Sequence, residues 1–307
     1  MPDRSHEISR RSLLRGLGVG AVGVTTAGWL AGCSTTSKPP SAGGSAGAEA
    51  SGGQSLLEVG RQRGYLRVGI ANEPPYTSVT TDGKVTGCAP DVFRACVKGL
   101  GIDDIQGIIT PYNGMIPGLK ANRWDAITAG LFMKQSRCAE VDYSEPVIVS
   151  TESFAVKPGN PDHITTVKSV KSNPDLTVVV LPGGFEEGIL QGAGVPDSQL
   201  LRINNNRSGV EAVSSGRADA FMLPTLSLKA LAEKEKGFDV TPPVPDAPRT
   251  GSGAAFRKSD HDFLVKYNKQ LAAIKDSGEF AKILNKWGFD PDAVKGVTAA
   301  ELCKNPG

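Results

Sequence analysis

The sequence carries almost no surplus of charge: its 307 residues hold 34 Lys+Arg against 32 Asp+Glu, a formal net of +2. A protein that grips nucleic acid electrostatically displaces counterions with a basic excess, so that class is excluded. Histidine is scarce. His6, His163 and His261 are far apart in the chain, and no histidine-based metal site is expected. Cysteine is limited to five residues and aromatics to 6%. The apolar run Gly16 to Leu30 spans about 15 residues, short of the ~20 that cross a bilayer as a helix. What is abundant is glycine, 37 residues, beside 21 prolines, with much of the glycine in two N-terminal stretches. The length suits one large or two modest domains with ample chain to bury a core.

The N-terminus reads as an address. Ser9-Arg10-Arg11-Ser12-Leu13-Leu14-Arg15 places an arginine pair before the apolar run, which ends in small residues. Basic flank, short apolar stretch and small-residue end are signal-peptide layout, and the paired arginines point to the twin-arginine export route. Leu30-Ala31-Gly32-Cys33 resembles a bacterial lipobox, whose cysteine is lipidated and becomes the mature N-terminus. Residues 1–32 are therefore expected to be a twin-arginine-type lipoprotein signal peptide. Two acyl chains on Cys33 would suffice for stable attachment. The expected location is outside the cytoplasm, on the outer face of the cytoplasmic membrane (periplasm or cell surface). Residues 33–54, mostly Ser, Gly, Ala, Thr and Pro, read as a flexible tether. The match of Gly18-Val19-Gly20-Ala21-Val22-Gly23 to a dinucleotide fingerprint follows no strand and lies in the removable segment, so it is a false positive. Without residues 1–32 the chain loses four arginines and two acids, leaving 30 basic and 30 acidic groups. That balance suits a receptor for small molecules better than a polyanion binder.

From Tyr65 onward, strand-like runs alternate with helical spacing. Tyr65–Ile70 alternates, while Asp125–Ala129 and Leu176–Leu181 are β-branched runs fitting buried strands. Asp91–Val97, Met115–Lys120 and Ser208–Ser215 have helical spacing, and Ala218–Phe221 reads as a strand. Phe263, Tyr267, Leu271 and Ile274 share one helical face, broken at Ser277-Gly278 before Phe280, Ile283, Leu284 and Trp287 continue. This is βαβ architecture, whose ligands bind beyond the carboxyl ends of the strands. Val147–Ala155 and Gly251–Phe256 read as crossings between two lobes. The first lobe is then discontinuous, residues 60–150 plus 252–290, with the second at 151–251 and a C-terminal tail at 291–307.

A series of ordered motifs resembles the amino-acid-type (family 3) solute-binding receptors of ABC importers, over about Tyr65 to Asp290. They are Glu73-Pro74-Pro75-Tyr76, Tyr112-Asn113-Gly114-Met115-Ile116-Pro117, Trp124-Asp125-Ala126, Ala129-Gly130 through Arg137, and Asp142-Tyr143-Ser144-Glu145-Pro146. Gly216-Arg217-Ala218-Asp219-Ala220, Gly253 to Lys258 and Ser277-Gly278-Glu279-Phe280 follow. The resemblance implies an α/β, two-lobed periplasmic-binding-protein-like (type II) fold, with a two-strand hinge and a central ligand cleft. It puts Arg137 where the family grips a ligand carboxylate, a task suited to a planar fork of charge-assisted donors. Tyr76 and Tyr112 fall where the family places ring walls, and Gly130 lies in the same cleft segment.

Two departures bear on the ligand. Five residues before Arg137 the family usually carries Ser or Thr, and this chain has Phe132. Five residues after Asp219 amino-acid receptors usually carry an acid for the α-ammonium, and this chain has Pro224. An ammonium buried there without a partner would be costly. Three rings with Glu73 describe a cage for a diffuse, weakly hydrated cation, and Arg137 opposite demands a carboxylate. A small zwitterion with a delocalised or alkylated cation satisfies both. Together with Gly87 to Val92 and Ala129 to Lys134, these residues resemble the ectoine/hydroxyectoine receptors. From the second lobe, Leu181-Pro182-Gly183-Gly184-Phe185-Glu186-Glu187 joins a strand to a helix, and its glycine amides are expected to approach an anion there. Phe185 completes the expected site.

Of the four cysteines beyond Cys33, a Cys88–Cys138 pairing and buried free thiols are both open, since four cysteines allow three complete pairings. No cofactor or metal is expected, and the chain is expected to be a monomer that delivers its solute to ABC permease subunits. Two alternatives stay open. One is a polar amino-acid receptor of the same family; the other is a cleft enzyme of the cyclohexadienyl dehydratase type, with Glu73 as general acid. The sequence shows no second acid–base partner for Glu73, so a non-enzymatic role is expected.

Overall fold

The structure is a computed structural model in which residues 53–306 are described. The expected export signal, the expected lipidation site Cys33 and all but the end of the expected tether lie outside the described residues. The chain runs through α1 (Leu56–Arg63), β1 (Tyr65–Ile70), β2 (Ser78–Val79), β3 (Val85–Thr86), α2 (Cys88–Gly99), β4 (Asp104–Ile109) and α3 (Tyr112–Lys120). β5 (Ala126–Ile127), α4 (Gln135–Glu140), β6 (Asp142–Tyr143) and β7 (Ile148–Ser150) follow. Next come β8 (Glu152–Val156), α5 (Val167–Ser172), β9 (Val178–Val180), α6 (Phe185–Gly192), β10 (Leu200–Arg202), α7 (Asn206–Ser214), β11 (Ala220–Pro224), α8 (Thr225–Lys234) and β12 (Asp239–Val240). The return passes through β13 (Thr250–Ser252), β14 (Ala255–Phe256), α9 (His261–Asp276), α10 (Glu279–Lys286) and α11 (Ala299–Leu302).

Two five-stranded sheets define two lobes. The first has the order β4-β1-β5-β14-β6, with β1 parallel to β4 and β5 and the returning β14 antiparallel to its neighbours. The second has the order β10-β9-β11-β8-β12, with β9 parallel to β10 and β11 and β8 antiparallel to β11. Between them β7 and β13 pair antiparallel, Thr250 opposite Ser150 and Ser252 opposite Ile148, forming a two-strand hinge. The central strands are buried on both faces, as the continuous apolar runs predict: Val178, Val179 and Val180 are fully buried.

Local signals place the elements. Ser55 and Glu58 form a capping box at the start of α1, which ends at left-handed Gly64. The spacing Val92, Phe93, Cys96, Val97 puts the apolar face of α2 on α9, where Phe93 meets Tyr267 with ring centroids 5.2 Å apart. Gly278, left-handed, separates α9 from α10 where Ser277-Gly278 predicts the break. The helix predicted from Met115 begins earlier, at Tyr112, because Pro111 is pre-set for a helix start.

Two expectations are corrected. Cys138 pairs with Cys303, not with Cys88; Cys88 and Cys96 are buried free thiols on α2. Of residues 291–307, expected as a tail, the described part up to 306 folds back: Val294, Val297 and Leu302 are buried, and Val297 and Leu302 join the cluster around Met115 and Val141. Nothing in the sequence spacing marks this closure, which spans 165 residues.

Candidate functional site

The site is assembled from loop ends. After β1 the chain turns through Glu73–Thr77, where the Glu73 amide donates to Thr77 Oγ1 at 3.0 Å and the Thr77 amide to the Glu73 carbonyl at 2.9 Å. The α2 N-terminus has no side-chain cap, so its first amides, Cys88 and Ala89, donate to the carbonyls of Pro75 and Tyr76. The loop is thereby clamped, and Glu73 and Tyr76 are aimed inward. Gly130 is left-handed (φ 69°), and a Cβ there would sit 2.8 Å from the Tyr76 ring, so the ring lies directly on its backbone. Trp124, packed on Gly118 and donating to the Met115 carbonyl at 3.0 Å, fixes α3 and with it Tyr112.

These groups converge on one narrow cleft between the lobes. In this closed conformation the space they leave is only about 10 Å³, room for roughly one water. Glu73, Tyr76, Tyr112, Gly130, Phe132 and Arg137 line it from the first lobe; Phe185, Glu186 and Pro224 do so from the second. Tyr76 and Phe132 stand edge to face with centroids 5.8 Å apart, as do Phe132 and Phe185. Larger grooves of about 760 and 560 Å³, beside α5 and α6 and behind the hinge, are open surface features without such convergence.

Glu73 is buried, and its carboxylate accepts from Ser227 Oγ at 2.6 Å and from Tyr112 OH at 3.2 Å. Loss of water pushes its pKa up, and these bonds with Asn206 oppose the rise. Tyr76 OH lies 2.5 Å from Ser150 Oγ on the hinge strand. Arg137, buried in α4, donates from Nη1 to the Phe132 carbonyl at 2.7 Å and from Nη2 to the Gly183 carbonyl at 2.6 Å. The second bond crosses from one lobe to the other. Burial lowers the Arg137 pKa, with partial compensation from neighbouring Tyr143 and Glu186.

Gly183 and Gly184 behave differently from expectation. The Gly183 amide donates to Glu187 Oε2 at 2.7 Å and the Gly184 amide to the Leu181 carbonyl at 2.9 Å, so neither is turned to an anion. Gly183 contributes its carbonyl instead, to Arg137. Asp219 accepts from Lys157 Nζ at 2.7 Å and from the Thr177 amide at 2.8 Å, a structural role at the strand start.

Sequence reasoning missed two acids. Glu186, in the first turn of α6, is buried at the cavity, and Glu152, first residue of β8, is buried beside it. Neither Glu152 oxygen has a hydrogen-bond partner among the described residues, although Glu186 and Thr250 are its polar neighbours. Desolvation, then repulsion from Glu73, pushes Glu186 up to about 7. Desolvation, then repulsion from Glu186, holds Glu152 well above the usual carboxylate range. Glu152 also stands opposite Pro224 in the β8–β11 register, so the position that lacks an acid in sequence has acids beside it in space. A lone acid just ahead of the apolar run Phe154–Val156 was the available signal for Glu152.

Two lobes joined by a two-strand hinge, closing rings, acids and an arginine over one small cavity, define a solute-binding receptor fold. Bacterial extracellular solute-binding proteins, family 3, match over residues 66–291, and the chain belongs to that family. The probable amino-acid ABC transporter periplasmic-binding protein y4tE of Sinorhizobium fredii is 31% identical over 269 residues, 84% of this chain and 89% of that one. Among solved structures, EhuB in complex with hydroxyectoine aligns with a TM-score of 0.79 and 43% identity, over 81% of this chain and 99% of that one. The ancestral amino acid-binding protein AncCDT-1, a precursor of cyclohexadienyl dehydratase, aligns with a TM-score of 0.67 and 28% identity, over 77% and 100%. The chain is a solute-binding protein of an ABC importer, with a small-molecule ligand and permease partners. No described helix is long and apolar enough to cross a membrane.

Proposed function

We propose that this protein captures a small zwitterion with a delocalised cation, of the ectoine/hydroxyectoine type, and delivers it to its permease as a lipid-anchored receptor. The observation that carries the reading is the convergence of Tyr76, Tyr112, Phe132 and Phe185 with Glu73 at one buried cavity, with the Arg137 guanidinium in the same lining. Each desolvated cation–π contact contributes roughly 0.5–2 kcal/mol, a real fraction of the ~8 kcal/mol of a micromolar complex. Arg137 uses two donors on carbonyls and keeps others for a carboxylate. The solved relative bound to hydroxyectoine supports this ligand class. We take lobe 1 as residues 60–150 plus 252–290 and lobe 2 as 151–251, a division in keeping with the two sheets. Cys33 is the proposed lipid attachment site, and residues 33–54 the tether.

A second reading has its own support. Glu152 and Glu186 beside Pro224 supply counter-charge for an α-ammonium, and the 31% identical relative is named as a probable amino-acid receptor. The same two acids would serve a dehydratase-type enzyme as partners for Glu73, the residues the sequence did not reveal. Calorimetric titration with ectoine, beside glycine betaine, proline, glutamine, arginine and histidine, separates the first two. Micromolar or tighter binding of ectoine alone is expected; tight binding of an ordinary amino acid would replace that ligand. Incubation with prephenate or arogenate is expected to show no turnover, and measurable product would reopen the enzyme.

A further inference from the structure

The C-terminal residues touch the elements that carry the proposed ligand grip and the hinge, at several separate places. Helix α4, which bears Arg137, has six residues and no side-chain cap at Lys134. Its first amide, Gln135, donates instead to the Asn305 carbonyl at 2.9 Å. One residue after Arg137, Cys138 is joined covalently to Cys303. The same segment holds both hinge strands. Asn305 Nδ2 donates to the Arg249 carbonyl at 2.9 Å, next to β13. Leu302 is buried against Gly251, where a Cβ would sit only 2.6 Å from the leucine methyl. The Ala299 amide donates to Glu145 Oε2 at 3.3 Å, just before β7, and Val149 of β7 packs on the cluster containing Leu302. The Met133 amide donates to the Gly251 carbonyl at 2.8 Å, so the segment leading into α4 also rests on β13.

We propose that residues 297–305 form a strap, locked by the Cys138–Cys303 disulfide, that positions Arg137 relative to the hinge for carboxylate recognition. A six-residue helix has little stability of its own. Its orientation is therefore set by what holds its ends, and the strap supplies both a backbone acceptor and a covalent tie. Arg137 reaches across to the Gly183 carbonyl of the other lobe, so a rotation of α4 against β13 would misdirect the guanidinium. Cys138 and Cys303 are positioning residues: neither lines the cavity. Both are only partly buried, so a reductant reaches the disulfide, and Cys88 and Cys96, already free thiols, offer it no bond to break.

The proposal deepens the ligand reading, and the experiment separates the two. In full-length protein, Cys138→Ser/Cys303→Ser and Leu302→Ala would be compared with wild type, and wild type also after treatment with a water-soluble phosphine. That reagent breaks the S–S bond, puts a proton on each sulfur, and becomes its oxide with oxygen from water. The probes are ectoine and its carboxamide, in which the carboxylate charge is removed. Loss of the strap is expected to weaken ectoine about tenfold or more and to change carboxamide affinity less than twofold. A merely structural disulfide would move both probes alike or neither, and either result overturns the proposal. Amide exchange needs no ligand: residues 135–141 and 250–252 are expected to exchange faster without the disulfide, with β9 and β11 unchanged. Unaltered exchange at α4 in the folded variant overturns the strap even where ectoine affinity falls. Should wild type not bind ectoine, the ligand reading fails and the exchange data alone decide the strap.

Discussion

At the scale of single residues, the cavity sets charge against charge with little water to moderate it. Arg137→Ala removes a forked, charged donor and leaves the Gly183 carbonyl without its partner. With ~1.5–3 kcal/mol for a hydrogen bond to a charged group, ectoine affinity is expected to fall by about two orders of magnitude in calorimetry. Phe132→Thr restores the hydroxyl common in the family but deletes one ring. A loss of roughly 0.5–2 kcal/mol is expected for the cationic ligand, and unchanged affinity would remove the aromatic cage from the mechanism. Glu186, pushed up to about 7, makes the pocket pH-sensitive. A cation favours the ionised acid, so affinity is expected to rise from pH 6 to pH 8 and to lose that dependence in Glu186→Gln. The stability effect has the opposite sense. The folded pKa lies above the ordinary carboxylate value, so this group's contribution is full below that value and is lost as pH rises through about 7. Melting curves of ligand-free protein between pH 5 and pH 8 should show that decline, flattened in Glu186→Gln.

At the scale of elements, the turn from β9 into α6 decides whether the lobes can meet. Gly183 is left-handed (φ 72°), and a Cβ there would come within 2.9 Å of the Asn113 backbone in the opposite lobe. Gly183→Ala therefore strains the turn by ~1–2 kcal/mol and holds the lobes apart. Weaker ligand binding and a larger radius of gyration by small-angle scattering with saturating ligand are the expected outcomes; wild-type affinity would show that the turn tolerates a side chain. The ends of α2 and α4 follow one pattern. Neither N-terminus has a side-chain cap, and each is satisfied by carbonyls of a distant or looping segment. In both places helix geometry is thereby transferred to a cavity-lining residue, Tyr76 in one case and Arg137 in the other.

At the scale of the whole molecule, two sheets of five strands are joined by a hinge of only two, and the cavity lies where their loop ends converge. Closure is then a motion about a thin connection, with Arg137 to Gly183 as a latch between lobes. On the proposed anchoring at Cys33, its replacement by serine should release the protein from the membrane fraction, because the two acyl chains that stable anchoring requires would be missing; retention in the membrane would overturn that proposal.

The two-lobed α/β fold was legible in the chain where it rests on local chemistry, and the candidate lining residues through the ordered motifs that resemble the family. β-branched runs make buried strands, and Ser277-Gly278 parts α9 from α10. Glu73, Tyr76, Tyr112, Phe132 and Arg137 stand in ordered motifs whose spacing follows strand and helix ends. Other features were decided only in three dimensions. Glu152 and Glu186 lie 34 positions apart and become neighbours through the β8–β11 register and the start of α6. Cys138 finds Cys303 because the last residues fold back over the hinge, and the amides of Gly183 and Gly184 are taken by Glu187 and Leu181 before any ligand arrives. Burial, register and long-range closure are properties of the packed chain, and a one-dimensional pattern records them only where a local turn or face already requires them.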